Sequence, residues 1–406
     1  MPQRREGATT HQKPESAGMP GWVSLLFFIG AVALLLLAGL GVFLFVIGVF
    51  VMILAHEAGH FVTAQAFGIK VEEFFLGFGP RLWSVRRGET EYGIKAIPAG
   101  GYVRIAGMNP FQEPAPEDRP RTFGAKPAWQ RAIVLVAGSA THFVLAFVAL
   151  ALFFGALGVP RAQVARVEPT LGDAPSPAAQ AGIRPGDEVL AVDGRELTFD
   201  EFLVYTRAHV GDEIEIVVDR AGRQITLSAT PVLARVGSER VGRLGVVLEP
   251  GGRLRAGPLE AVAQGARFTG QMVIRSFQAL GRTFSPDGLR RFGEVLTGDR
   301  PRQVDDVTSV VGAARLSGQA VAAGQMDFLL LMFAGFNVFV GILNLLPLPP
   351  LDGGHLAVVA LEKITGRKVD VRRLVPISAA VAGVLILVML TTLYLDVVRP
   401  LPNPFQ

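Results

Sequence analysis

The sequence predicts a polytopic α-helical membrane protein with four core transmembrane helices and an extra N-terminal one, a re-entrant β element and an inserted α+β domain. Three observations predict it. Half of the 406 residues are hydrophobic and mean hydropathy is +0.40, values that belong to an integral membrane protein with a smaller soluble part. Four or five apolar segments approach the roughly twenty residues that a bilayer core requires. Between two of them lies a long stretch that alternates strand-like pieces with turn residues. Zero cysteines exclude disulfides and thiolate ligands, so a metal would rest on histidine and carboxylate alone. The net charge of +4 is spread among the membrane flanks and makes no case for nucleic acid.

Residues 1–21 are a polar cytoplasmic leader carrying Arg4, Arg5 and Lys13, with no small-residue cleavage site behind it. Val23 to Ala55 then runs thirty-three residues without a charge, too long for one span unless strongly tilted. Gly39-Leu40-Gly41 divides it into an extra helix at 22–41 and a second helix at 42–67. Residues 68–128 alternate glycine-rich turns with short apolar strands around Val71–Trp83 and Thr90–Val103. Such backbone survives at membrane depth only if protein or a wet cavity covers it, which favours a re-entrant sheet over a cytoplasmic loop. A third span occupies 129–159.

Residues 160–235 read as an α+β domain, with strands near Val164–Val167, Glu188–Val192, Glu213–Val218 and Gln224–Leu227 and a helix near Asp200–His209. An extracytoplasmic linker follows at 236–325. Within it Pro258–Gly281 has amphipathic spacing suited to a membrane surface or to plain packing. The next span, 326–362, contains Asn337 and Asn344 and is broken by Pro347, Pro349 and Pro350. A basic loop at 363–373, with Lys363, Arg367, Lys368, Arg372 and Arg373, belongs in the cytoplasm by the positive-inside tendency. The last span is 374–398. Placing both this loop and the leader inside requires the extra first helix and puts the long polar stretch outside.

The chemistry concentrates in His56-Glu57-Ala58-Gly59-His60, at the end of the first apolar run. A helix sets His56 and His60 one turn apart on one face, where two imidazoles can grip one metal ion, with Glu57 beside them as a general base. Only six histidines occur in the chain, and ionisable residues at membrane depth are costly and usually functional. A second constellation is Asn344-Leu345-Leu346-Pro347-Leu348-Pro349-Pro350-Leu351-Asp352-Gly353-Gly354-His355, whose Asp352-Gly353 turn can aim a carboxylate at another helix. His355 is an alternative ligand. His142 and Asn337 read as hydrogen-bonding glue between helices, and His209 and His11 are not site candidates.

Ala181-Gly182-Ile183-Arg184-Pro185-Gly186-Asp187-Glu188-Val189-Leu190-Ala191-Val192-Asp193-Gly194 resembles the PDZ domains of bacterial membrane and envelope proteases. Such domains add an extended peptide to a sheet edge, or here would obstruct access sterically. Together with both motifs, Gly77-Phe78-Gly79 and Gly100-Gly101-Tyr102, the chain from about 42 to 395 resembles the site-2 protease family of regulated intramembrane metalloproteases, in its actinobacterial single-PDZ form. The resemblance implies one zinc ion held by His56, His60 and Asp352. It also implies Glu57 as general base and proton donor, and Asn344 binding substrate or stabilising the oxyanion. Its implied partners are membrane lipid and a single-span protein substrate already trimmed by another protease, such as an anti-sigma factor, in the bacterial cell membrane. Two departures stand out: Gly138-Ser139-Ala140-Thr141-His142 carries histidine where the family often has asparagine, and the first forty residues have no counterpart. A catalytically idle scaffold whose PDZ domain captures peptides is the competing reading; a metal transporter is disfavoured because no repeated transport architecture is present.

Overall fold

The computed structural model describes residues 20–405 apart from 110, 112, 113, 237, 238, 304 and 305. Arg4, Arg5, His11 and Lys13 of the leader therefore lie outside the described residues. The chain divides into two compact units, one of residues 1–149 with 268–406 and one of residues 150–267.

In the first unit the long apolar run is two helices, Gly21–Leu37 and Leu40–Ala66. The break falls at Gly39, whose φ of 106° suits a residue without a Cβ. The second helix stops at Gly68, another left-handed position, which returns its N–H to the Gln65 carbonyl. Among the described residues three helices are long and apolar enough to cross a membrane: Leu40–Ala66, Ala128–Leu157 and Arg372–Val398. Trp22–Leu37 and Phe328–Asn344 are apolar but shorter. The single span read from sequence at 326–362 is two helices, Phe328–Asn344 and Asp352–Thr365. The prolines between them supply no N–H to continue the ladder. The returning loop lies so close that a Cβ on Gly353 would overlap the Leu345 and Leu346 carbonyls, and one on Gly354 would overlap Pro349.

The strands Val71–Arg87 and Thr90–Ile105 make an antiparallel hairpin folded on itself. Glu73–Leu76 pairs with Gly101–Arg104 on one side and with Glu91–Ile94 on the other, while Arg81–Arg87 pairs with the Thr90–Lys95 stretch. Gly77 and Gly79, both at positive φ, allow the fold-over. Phe61 of the His-bearing helix meets Phe74 and Tyr92 of the hairpin edge-on, with centroids 5.4 and 5.7 Å away. A buried cluster of Ala64, Ile69, Val71, Ile105, Phe123, Val134, Leu135 and Val359 joins that helix to the hairpin, to Ala128–Leu152 and to Asp352–Thr365. Arg131 and Glu362, 231 residues apart, add an ion pair at 2.7 Å between the last two helices. The two sequence motifs meet because these elements share one core.

The second unit holds a sheet in the order Val246–Leu254, Val159–Val167, Glu188–Val192, Ile214–Arg220, Arg223–Ala229, with Arg195–Glu196 pairing to Glu188–Val192. Helix Phe199–Ala208 is opened by a capping box between Thr198 and Glu201. Phe202 inserts among Val164, Val189, Val192, Ile214, Ile216 and Val218. The sheet extends past 235, because Val246–Leu254 adds to the Val159–Val167 edge. The stretch 236–325 is correspondingly no simple linker: beside helix Pro258–Thr283 it contains Pro286–Thr297 and Val310–Ala322.

Within this unit the Asp187 side chain is wholly inaccessible. It accepts two hydrogen bonds from Arg220, each 2.7 Å, and one from the Arg184 amide at 2.8 Å. Burial alone would raise its carboxyl, but the Arg220 and Arg184 bonds and their charges hold it below the ordinary carboxylate range. A depressed folded value means stability that is present above about pH 4 and is lost as pH falls through that lowered value. Asp187→Asn, which leaves Arg220 without its counter-charge, is expected to cost about 2–3 kcal/mol. In the purified chain that appears as roughly 30-fold or more faster proteolysis within 150–267 at pH 7. The gap between variant and parent should close as pH falls below about 4.

Candidate metal centre

His56 and His60 lie one turn apart near the end of Leu40–Ala66, with Nε2 atoms 3.2 Å from each other. Asp352, first residue of Asp352–Thr365, brings Oδ2 to 3.4 Å from His56 Nε2 and 3.2 Å from His60 Nε2. Ligands about 2.0–2.1 Å from a tetrahedral ion stand about 3.3–3.4 Å apart, so these three atoms are spaced for one ion of zinc's size. His60 Nδ1 donates to the Val134 carbonyl at 2.7 Å, which leaves Nε2 as a bare lone pair. Asp352 Oδ2 is buried with no hydrogen-bond donor among the described residues. A bare lone pair on His60 and a carboxylate oxygen without a donor, both in contact with His56 Nε2, fit a cation. Among the described residues these are the three that converge for a metal ion.

Helix Ala128–Leu152 aligns both imidazoles. Val134 and Gly138 are one turn apart on it, as His56 and His60 are on theirs: the Val134 carbonyl holds His60, and the Gly138 carbonyl faces His56. The approach depends on missing side chains. A Cβ on Gly138 would overlap His60 Nε2, and one on Gly59 would stand 2.6 Å from the Ala137 carbonyl oxygen. Small residues at such crossings let helix backbones touch in a membrane. Glu57 is half-buried, and the hairpin covers it: a Cβ on Gly101 would stand 3.1 Å from Glu57 Cγ, and Val103 backbone faces its carboxylate.

Asn344 ends helix Phe328–Asn344 just before the break and is half-buried. The structure gives it no bond to the His–Asp group. His355 lies outside that group, its Nδ1 3.3 Å from the Leu351 carbonyl of its own helix start. His142 and Asn337, assigned to packing from sequence, bond to each other: His142 Nδ1 donates to Asn337 Oδ1 at 3.1 Å, and Asn337 Nδ2 donates to the Phe333 carbonyl at 2.9 Å. Both are fully buried, and the His142 ring lies 5.0 Å from that of His56. Sequence reasoning missed the supporting parts: the Val134 carbonyl, Gly138 and Gly101. The signal for Gly138 was present, since it stands one turn before His142 in a run of small residues inside an apolar helix.

Two imidazoles, a carboxylate and an adjacent glutamate, set on apolar helices, define a metal-dependent hydrolase of a membrane protein. The chain belongs to Peptidase family M50, the site-2 protease family, whose model matches residues 44–390. It is 34% identical to the zinc metalloprotease Rip1 of Mycolicibacterium smegmatis over 402 residues and 32% identical to Rip1 of Mycobacterium tuberculosis over 404, each covering 89% of this chain and 98% of the relative. The metalloprotease MmpA of Caulobacter vibrioides is 32% identical over 363 residues, covering 80% of this chain and 86% of MmpA. The protein is accordingly a zinc metalloprotease.

Gly138→Ala tests the crossing on which the metal group depends. The added methyl displaces His60, and zinc retention against a chelator should weaken about 10–100-fold, the usual penalty for disturbing the groups that orient ligands. Gly335→Ala, in an apolar helix with nothing within 4 Å of the added carbon, should retain zinc as the parent does.

Proposed function

We propose that this metalloprotease hydrolyses a peptide bond within the transmembrane segment of a single-span membrane protein, one already trimmed outside by another protease, such as an anti-sigma factor. In this reading four core helices and the extra Gly21–Leu37 helix span a bacterial cell membrane, the hairpin is re-entrant, and residues 160–235 carry an extracytoplasmic PDZ domain. The observation that carries it is the convergence of His56, His60 and Asp352 on the end of a helix whose preceding run has no charge.

His56, His60 and Asp352 would hold the zinc ion, which supplies Lewis acidity that makes water nucleophilic near neutral pH and polarises the scissile carbonyl. Glu57, one residue from a ligand and sheltered by Gly101, takes the proton from the attacking water and delivers it to the leaving amine. Asn344 offers an amide donor to substrate or to the developing oxyanion. A helical substrate hides its carbonyls in hydrogen bonds and must be extended before attack. The Gly101–Arg104 segment pairs on one side only among the described residues, so its other side offers an edge for an extended substrate beside Glu57.

Glu57→Gln in purified protein should keep its zinc while cleavage of a model transmembrane substrate falls about 100-fold or more. Cleavage undiminished in this variant would overturn the mechanism. Asn344→Ala should likewise keep zinc and lower kcat about 100-fold, the scale of a lost oxyanion donor.

A further inference from the structure

Away from the metal centre, a cavity of about 260 Å³ is walled by Arg282, Arg291, Arg300 and Arg302, with Phe292, Val295 and Leu395 as its apolar side. Four guanidinium groups share it with one carboxylate, Asp306. Arg302 is neutralised by Asp396 at 2.7 Å, a pair almost wholly removed from solvent, and Arg300 stands 3.8 Å from Asp306. Arg282 and Arg291 have no acidic partner among the described residues. Nearby Glu294 is paired with Arg290, and Asp299, which accepts from the Thr297 hydroxyl, does not line the cavity. The cavity therefore keeps about two uncompensated positive charges, the complement of a phosphate.

Its position indicates what carries that phosphate. Leu395 and Asp396 belong to the last turn of Val375–Val398; they are buried, but the helix's most apolar 18-residue window is not covered by the protein and so is free to meet lipid. A group at the end of such a helix sits at headgroup depth. Phe284, Leu289 and Leu296, beside the cavity, are exposed, as suits a helix lying in the membrane surface.

We propose that this cavity binds the phosphate of an anionic phospholipid, with Arg282 and Arg291 as its principal contacts. The acyl chains lie along the end of Val375–Val398, and the lipid braces Pro286–Thr297 against that helix.

The test is thermal unfolding of the full-length protein in detergent, titrated with phosphatidylglycerol, phosphatidylcholine or inorganic phosphate. Phosphatidylglycerol should raise Tm by about 3 °C or more and phosphatidylcholine should not. Arg282→Gln with Arg291→Gln should lose at least half of that rise. Both arginines are exposed, so the double variant should fold with the parental Tm in the absence of lipid. Arg290→Gln, whose charge is already paired with Glu294, should keep the full response. Equal rises with both lipids, or an undiminished rise in the double variant, would overturn the site. A rise reproduced by millimolar inorganic phosphate alone would overturn its assignment to lipid.

Discussion

The metal centre depends on one close helix crossing. Where Leu40–Ala66 meets Ala128–Leu152, Gly59 faces the Ala137 carbonyl and Gly138 faces the His60 ring, and neither contact leaves room for a methyl group. The crossing lets mid-helix carbonyls of one helix orient the imidazoles of the other. The Val134 carbonyl already accepts the N–H of the next turn, so His60 uses its second lone pair and no backbone group is stranded; the Gly138 carbonyl also accepts from the Thr141 hydroxyl and only faces His56, whose Nδ1 has no hydrogen-bond partner among the described residues. In an apolar surrounding this matters, because any unsatisfied polar group there costs several kcal/mol. His60 is thus aligned without adding a polar side chain to either helix.

A second constraint follows from the distance in sequence between His60 and Asp352. Nothing local brings them together. The cluster of Ala64, Val134, Leu135 and Val359, with the Arg131–Glu362 pair, fixes where Asp352–Thr365 begins, and the glycines behind Asp352 let the loop fold back over that beginning. Had Phe328–Asn344 continued unbroken, Asp352 would have been carried about 12 Å further along its axis by eight more residues of helix. The proline-rich break ends an apolar helix and makes the start of the next a mount for one carboxylate.

This division explains what was legible in the sequence. The His56–Glu57–His60 face needed only helical periodicity, and the break at Gly39 needed only the length of a bilayer. Three strands of the second unit, Glu188–Val192, Ile214–Arg220 and Arg223–Ala229, appeared within a residue or two, whereas Val159–Val167 begins five residues before the strand read at Val164. The break after Asn344 was visible in its prolines, but prolines state only that a helix ends. They do not state that another resumes at Asp352, so 326–362 read as one span. Val246–Leu254 was hidden because it is an edge strand interrupted by Pro250, Gly251 and Gly252, with little alternation to mark it. The carbonyl of Val134 could not be found at all, since every residue carries one and only tertiary contact singles it out.

The polar atoms of the centre show why its geometry and its cation belong together. Asp352 Oδ2 is buried against two imidazole nitrogens, and His60 at least presents a lone pair to it because its own proton is committed to Val134. His60 Nε2 and Asp352 Oδ2, both electron-rich, stand 3.2 Å apart and repel, and no hydrogen-bond donor reaches that oxygen among the described residues. Packing alone would not select this arrangement, since an apolar residue at 352 would cost less than an unmatched carboxylate. A divalent cation reverses the sign of every one of these interactions at once. It also ties Asp352–Thr365 to Leu40–Ala66 across nearly three hundred residues of chain. In the proposed reading the centre is therefore a clasp as well as a catalytic site, and the hairpin that shelters Glu57 closes over a geometry that zinc would complete.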